Sequence, residues 1–342
     1  MAAGTLTDLS TILSKLFNHD SISQLNRAAP FFGWLEKKAY SGKAVDWRTA
    51  GDGVTVSTFA SGAGAPADTF DERKSASLAW ARYGATISVA DDALAAALGQ
   101  GTEAAIFSLF EEEIRLASSA IAKAVEDDLF AGDGTSDSLY GTDVAVLDSG
   151  AYAGIDQGVD AWWASAAYGT AASEAEMTLD DFGQFSAAIF DTYGAALDGN
   201  AGDAWVMDGA LYQKFSALVG ANPVQYANMG GLDLAAGARS LSYDGVPILR
   251  SGGSTALRVY GMRKDECELN YMPVRDSKGA IISNDISVPV GDTGSGAESP
   301  LMLHVTPLGR TGAAQRYLCY LQVQLKCRSR FSHGVWRVKP TA

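Results

Sequence analysis

Three cysteines, three histidines and no apolar run approaching the roughly 18 residues that a membrane helix needs set the first limits on this chain. Cys267, Cys319 and Cys327 are odd in number and include no CxxC pair, so neither a disulfide framework nor a zinc knuckle is indicated, and a reducing compartment fits. His19, His304 and His333 lie far apart in sequence. The chain also has no GxxxxGK(S/T) loop, no GxGxxG, no GxSxG and no HExxH, so the signals for phosphate cradling, dinucleotide binding, ester hydrolysis and zinc peptidase chemistry are missing. No catalytic, cofactor-binding or metal-ligating residue is nominated, although a carboxylate pair assembled by folding leaves no trace at this level. No basic flank precedes an apolar run near residue 1, so neither export nor membrane insertion is expected.

The charge is unevenly spread. After Glu298 there is none, while Arg310, Arg316, Lys326, Arg328, Arg330, Arg337 and Lys339 form a basic band on a chain whose formal charge is -14. A body this acidic repels nucleic acid rather than collecting it. The 47% hydrophobic and 19% charged composition is that of a soluble globular protein, and 342 residues are enough for two or more lobes.

What the chain does have is one long helical run, over residues 102–130. Ile106, Phe110, Ile114, Ala117, Ile121, Val125 and Leu129 recur at steps of three or four and draw an apolar stripe through Glu111, Glu112, Arg115, Ser118, Lys123 and Asp127. Thr102 can cap its start, and Gly132 and Gly134 offer left-handed residues for its end. About 29 residues at 1.5 Å each make a strut of roughly 43 Å. Glu111, Glu112 and Glu113 read as a solvated or interfacial face rather than an acid/base centre.

Before it, Leu6, Leu9, Ile12, Leu13 and Leu16 give a short amphipathic helix. Leu25, Phe31, Phe32, Trp34 and Leu35 then form an apolar cluster that either the body or a neighbouring subunit must cover. Residues 43–56 and 75–89 favour strands, with Val45 and Trp47 on one face of the first and Ala81, Tyr83, Ala85, Ile87 and Val89 on one face of the second. The linker 57–70 has too few large apolar residues to pack a core, so a long hairpin with a flexible tip is expected, laid on another chain. Asp71, Glu72, Arg73 and Lys74 near its end supply both signs for such a contact, and read equally well as a solvated turn. Residues 92–98 read as a short helix. The Asp-rich stretch 131–147 lacks the spacing and closing Glu of an EF-hand and reads as a turn leading into a strand. Trp162 and Trp163 read as a core or interface anchor before a ligand platform.

The segments TLTDLSTILSKLF, ISQLN and Pro30, then DDLFAGDGT, then YAGID with Trp162 and Trp163, occur in an order that resembles the major capsid proteins of tailed bacteriophages, which share the Hong Kong-type shell fold. The resemblance runs from residue 6 to about residue 323. It implies an α+β subunit with an N-terminal arm (residues 1–40) and an extended β-hairpin loop (41–85). A peripheral domain with the spine helix (86–149), an α/β axial domain (150–262) and return strands with a Gly-rich insertion (263–342) follow. It also implies a structural, non-enzymatic protein without cofactor that assembles with itself, through hexamers and pentamers, into an icosahedral virion shell. That shell encloses double-stranded DNA without sequence-specific binding. Scaffolding, portal and decoration proteins are the implied further partners, the host cytoplasm the place of assembly, and no membrane is involved. An encapsulin-like compartment, a minor or decoration virion protein and, behind them, a soluble hydrolase stand as alternatives.

The later chain agrees with that scheme on its own terms. Thr178 can cap a helix over 179–193 with Phe182, Phe185, Ile189 and Phe190 inward, and Asp208 can cap a helix over 209–219 after a strand at 204–207. The stretch 220–238 reads as loop. Short strands are expected at 245–249, 257–260 and 268–271, and residues 284–300 read as an exposed insertion. From Tyr317 to Cys327, Cys319, Leu321, Val323 and Leu325 alternate with Gln322, Gln324 and Lys326, predicting a long strand with its cysteines packed on the apolar face. Glu126, Asp127 and Asp128 crowd the last turn of the long helix, where the helix dipole is already negative. A cation from Arg316, Lys326, Arg328 or Arg330, of the same or an adjacent subunit, is therefore expected against that turn. With Phe31, Phe32, Trp34, Glu72, Arg73 and Lys74, these are the candidate inter-subunit contacts.

Overall fold

The computed structural model describes residues 30–51, 73–90, 103–169, 176–221, 241–272, 286–290, 301–312 and 314–339. The helices expected over residues 6–16 and 92–98, the linker 57–70, the loop after residue 221 and Glu72 lie outside the described residues. The first described element is α1 (Pro30–Trp34), whose first residue is a proline pre-set for a helix start, followed by β1 (Glu36–Ala39) and β2 (Val45–Ala50). β2 pairs antiparallel with β3 (Arg73–Leu78), from Val45 opposite Leu78 to Ala50 opposite Arg73. The continuous second strand expected over 75–89 is broken. Trp80 is buried and its Nε1–H donates to Gly42 O at 2.9 Å, and beyond it β4 (Ala81–Ala90) leaves the hairpin and pairs along a different strand. Among the described residues the hairpin ladder is β2 with β3, and β4 does not continue it.

The long helix α2 (Glu103–Ala131) has 29 residues, and Ile114, Ala117, Ile121, Val125 and Leu129 of the expected stripe are buried. Gly132 ends it: its N–H bonds Asp128 O at 2.9 Å, and a Cβ there would stand 2.2 Å from Leu139 O, so any other residue would push the returning chain away. The Asp-rich stretch is a turn, with Asp133 Oδ1 accepting from the Thr135 N–H at 2.9 Å and its hydroxyl at 2.6 Å. A short helix, α3 (Thr142–Ala145), follows it in place of the expected strand, anchored by the Thr142 hydroxyl donating to Leu129 O at 2.8 Å.

A small hairpin, β5 (Ala151–Tyr152) and β6 (Ile155–Asp156), and the strand β7 (Ala166–Tyr168) lead to α4 (Leu179–Tyr193). The Thr178 hydroxyl accepts the Asp181 N–H at 3.1 Å, capping α4 as expected. Phe182, Phe185 and Ile189 point inward, but Phe190 is 50% exposed, because it follows Ile189 and falls about 100° off a stripe already filled. β8 (Ala204–Met207) precedes α5 (Gly209–Ala221), where Asp208 Oδ1 accepts the Leu211 N–H at 2.7 Å. The remaining elements are strands: β9 (Ser242–Tyr243), β10 (Val246–Arg250), β11 (Arg258–Met262), β12 (Cys267–Tyr271), β13 (Ile286–Val290), β14 (Leu301–Thr311), β15 (Ala314–Cys327) and β16 (Gly334–Arg337). Residues 286–290, expected in an exposed insertion, instead pair antiparallel with β14.

Two six-stranded sheets result. The first runs β1-β12-β15-β14-β13, with β4 also paired to β15; the second runs β7-β16-β11-β8-β10-β9. At 14 residues and about 3.3 Å per residue, β15 is roughly 46 Å long, close to the length of α2, which lies along β4 and β15. One core gathers α2, the first sheet and the β2–β3 ladder, and a second gathers α4, α5 and the second sheet around Phe182, Phe185, Trp205 and Trp336.

Candidate functional site

The residues proposed from the sequence to touch other subunits fall into four groups, and the structure treats each differently. Phe31, Phe32 and Trp34 are buried within their own subunit, so an exposed docking patch is replaced by an internal anchor. Phe31 packs on Phe130 at the end of α2, with ring centroids 4.8 Å apart, and stacks on Trp34 at 5.6 Å. The Trp34 Nε1–H donates to Gly202 O at 2.7 Å. Burying side chains of this size contributes about 1.5–3 kcal/mol each, enough to fix residues 30–35 to the body.

Glu126 is held in the same place. Its Oε2 accepts the Phe32 N–H at 3.2 Å and its Oε1 accepts the Ser251 hydroxyl at 2.7 Å, so one carboxylate joins α1, α2 and the residue after β10. Burial raises its pKa, against the pull of those two bonds and with a further push from Asp127. Asp128 Oδ2 accepts the Tyr83 hydroxyl at 2.6 Å, and Tyr83 in turn accepts the Leu139 N–H at 3.1 Å. Burial first, then the bond to Asp128, pushes the Tyr83 phenol up. Asp127 is exposed. Among the described residues no ion pair reaches Glu126, Asp127 or Asp128, so the same-subunit cation expected against this turn is not found.

Three of the four cations proposed for that turn are engaged elsewhere. Lys326 and Arg328 converge on Glu268, Lys326 Nζ at 2.8 Å from Oε1 and Arg328 Nη2 at 3.0 Å from Oε2, and Lys38 joins at 3.1 Å. Burial works against the Glu268 charge, but these partners prevail and hold its pKa below the usual carboxylate range. Lys326 Nζ also sits 5.5 Å from the Trp47 ring centroid, and the Trp47 Nε1–H donates to Arg328 O at 3.3 Å, which seats β2 on this cluster. Arg330 is fully buried and donates to Gly150 O at 2.9 Å, Ser149 O at 2.7 Å and Val144 O at 3.1 Å, so it staples the loop after α3 and cannot serve a neighbour. Burial lowers its pKa to about 10. Arg316 is half-buried on β15, opposite Ser88 and Gly309.

In the hairpin, Arg73 is exposed at the first residue of β3, while Lys74 Nζ lies 3.1 Å from Asp160 Oδ1 and ties the ladder to the turn that carries the paired tryptophans. Trp163 is buried with its Nε1–H donating to Tyr152 O at 3.3 Å, and a Cβ on Gly51 would stand 2.7 Å from the Trp162 ring. Both rings anchor the hairpin base within the subunit. Glu268 was not among the sequence candidates. It alternates with Cys267 and Leu269 in a five-residue strand buried throughout, and only the register Glu268 opposite Lys326 reveals its role. What this arrangement can do is mechanical: internal charges and hydrogen bonds hold the β2–β3 ladder and residues 30–35 to the body.

No protein-family model and no curated protein matches the sequence. Among solved structures, the chain is similar to one in the cyanophage A-1(L) capsid asymmetric unit, with a TM-score of 0.69, 19% identity and 92% of each chain covered. It is similar to the capsid of the native GTA particle at a TM-score of 0.57 and 11% identity, over 99% of this chain and 93% of that one. It is also similar to the holo-SrpI encapsulin complex from Synechococcus elongatus at a TM-score of 0.55 and 13% identity, over 100% of both chains. The chain therefore has the α+β capsid-subunit fold that the order of its segments resembles.

Proposed function

We propose that this chain is the major capsid protein of a tailed bacteriophage, assembling with itself through hexamers and pentamers into an icosahedral shell around double-stranded DNA. The observation that carries the reading is the fold likeness to the cyanophage capsid chain at a TM-score of 0.69 over 92% of both chains. The braced hairpin root and the anchored base of the arm support it. In this scheme residues 1–40 are the arm, 41–85 the extended loop, 86–149 the peripheral domain, 150–262 the axial domain and 263–342 the return strands. Many weak contacts between overlapping subunits add up around a closed symmetric shell. With a formal charge of -14, the chain confines DNA rather than gripping its sequence. Its role is structural rather than catalytic, its place the virion, its assembly in the host cytoplasm, and scaffolding, portal and decoration proteins its further partners.

A second reading, an encapsulin-like compartment, rests on the likeness at a TM-score of 0.55. Electron microscopy of the purified protein, expressed alone and with the proteins encoded beside it, tests both. Shells, tubes or capsomers are expected, with nuclease-protected DNA in particles from infected cells. A monodisperse monomer under every condition would overturn the shell reading, and a protein cargo in place of DNA would favour the compartment.

A further inference from the structure

Cys267 and Cys327 face one another as the first residue of β12 and the last of β15, with their Sγ atoms 3.4 Å apart. The Arg328 N–H bonds Glu266 O at 2.9 Å just beyond the pair, while the Cys327 N–H turns away to the Tyr152 hydroxyl oxygen at 3.0 Å. The two cysteines therefore occupy a non-hydrogen-bonded position of the antiparallel ladder, where opposite Cα atoms lie about 4.5 Å apart and side chains approach most closely. That separation is inside the range a disulfide spans. Cys319 sits farther along β15, with Ala85 and Val305 as its register partners.

The surroundings prepare one thiol to react. The hydrogen bond from Cys267 lowers the Cys327 pKa, burial opposes it, and His333 and Arg330 lower it further; the same bond, together with burial, raises Cys267. His333 Nδ1 accepts the Arg263 N–H at 3.2 Å, which puts the ring proton on Nε2, a buried nitrogen without a formed hydrogen bond. Both cysteines are buried, but they end their strands, where local fraying costs least and admits a small molecule.

We propose that Cys267 and Cys327 are a redox-active dithiol that closes to an intrachain disulfide on exposure to hydrogen peroxide. The Cys327 thiolate attacks one peroxide oxygen and breaks the O–O bond, giving a sulfenic acid and hydroxide. The Cys267 sulfur then attacks the Cys327 sulfur. The S–S bond forms, the S–O bond breaks, and the departing hydroxide takes the Cys267 proton as water. Two thiols lose two electrons, one peroxide gains them, and two waters result. The bond locks β12 to β15 and shortens the unfolded chain's free loop, which raises stability. The chemistry belongs to a single chain and does not rest on the shell reading.

Treating the purified full-length chain with peroxide, then denaturing and alkylating it, tests the assignment. Two of the three thiols should become unreactive, the intact mass should fall by two hydrogens, and the chain should stay monomeric on a non-reducing gel. Cleavage after Lys and Arg should yield residues 265–275 joined to residues 327–328, with Cys319 alkylated on the separate peptide 317–326. The melting temperature should rise with peroxide and fall back with dithiothreitol, in wild type and in Cys319→Ala alike, but not in Cys267→Ser. If Cys267→Ser does not fold, the peptide map of Cys319→Ala decides alone. Three alkylatable thiols after treatment, a bond through Cys319 or a bond between chains would each overturn the proposal.

Discussion

Glu126 Oε2 accepts the Phe32 N–H at 3.2 Å across 94 positions of sequence, and through this bond α1 is fastened to the end of the long helix. The carboxylate is buried, and its pKa is raised in the folded state chiefly by that burial. A carboxyl group with a raised folded pKa contributes stability that is complete below its unfolded pKa and is lost as pH rises through the folded one. Glu126→Gln should therefore match or exceed wild type in thermal stability near neutral pH, since the amide keeps an acceptor for Phe32 and can donate to Ser251. The difference should shrink on acidification toward about pH 4.5. Glu126→Ala leaves two buried polar groups unpaired and should cost about 1–3 kcal/mol. Melting curves across pH decide: a glutamine variant as weak as the alanine variant would show that the charge itself is required.

Glu268 has the opposite sign. Its folded pKa is depressed by Lys326, Lys38 and Arg328, so its contribution is present above the unfolded value near 4.5 and disappears as pH falls through the folded one. Lys38 and Arg328 are partly exposed and count for little, whereas Lys326 is buried beside Glu268. Glu268→Gln should therefore cost about 3 kcal/mol by stranding Lys326. Urea denaturation at neutral pH measures that loss, and the variant should also lose less stability than wild type on acidification. Equal acid sensitivity in the two would assign the effect to other carboxylates.

Asp127 is exposed in the last turn of α2, whose dipole disfavours a negative charge. Asp127→Asn should leave the isolated subunit as stable or more stable by about 0.3–1 kcal/mol. Under the shell reading, the same variant combined with Asp128→Asn should weaken assembly, with high salt producing a similar defect. The neighbour's Arg316 is the cation proposed to meet this turn, so Arg316→Gln should match the defect. Sedimentation at low and high salt reads the outcome, and normal assembly by the double variant in both would remove the contact.

Deleting residues 58–68 should leave the far-ultraviolet circular dichroism of the body intact while impairing assembly. The ladder below is braced independently of the deleted residues by Lys74 on Asp160 and by Trp47 against Arg328 O. Unfolding of the shortened chain would place that linker in its own subunit's core.

The elements governed by local rules were legible in the sequence. The α2 stripe, the alternation of β15 and the caps at Thr178 and Asp208 each depend on residues a few positions apart. The break between β3 and β4 also left a local mark: buried positions change from even (Ala76, Leu78, Trp80) to odd (Ala81, Ile87), a change of parity that a continuous strand does not make. Glu268 left no such mark, because its value depends on lying opposite Lys326, 58 positions away. The contact assignment for Phe31, Phe32 and Trp34 erred for a related reason. A hydrophobic cluster states that it must be covered, and only the tertiary fold states by what. Arg330 and Lys326, which the sequence shows only as members of a basic band, are drawn inward by carbonyls and a carboxylate distant in sequence.

The placement of β16 has a consequence for the order of events at the ribosome. In the second sheet this strand stands between β7 and β11, and Trp336 fills the core beneath it, although every other strand of that sheet lies at or before residue 262. A nascent chain therefore carries an open slot in its second sheet while residues 263–333 are being synthesised, and β7, which pairs only with β16 among the described strands, packs on α4 without a strand beside it. Completion of that sheet waits for residues 334–337, and until they emerge the second core lacks the Trp336 ring that closes it.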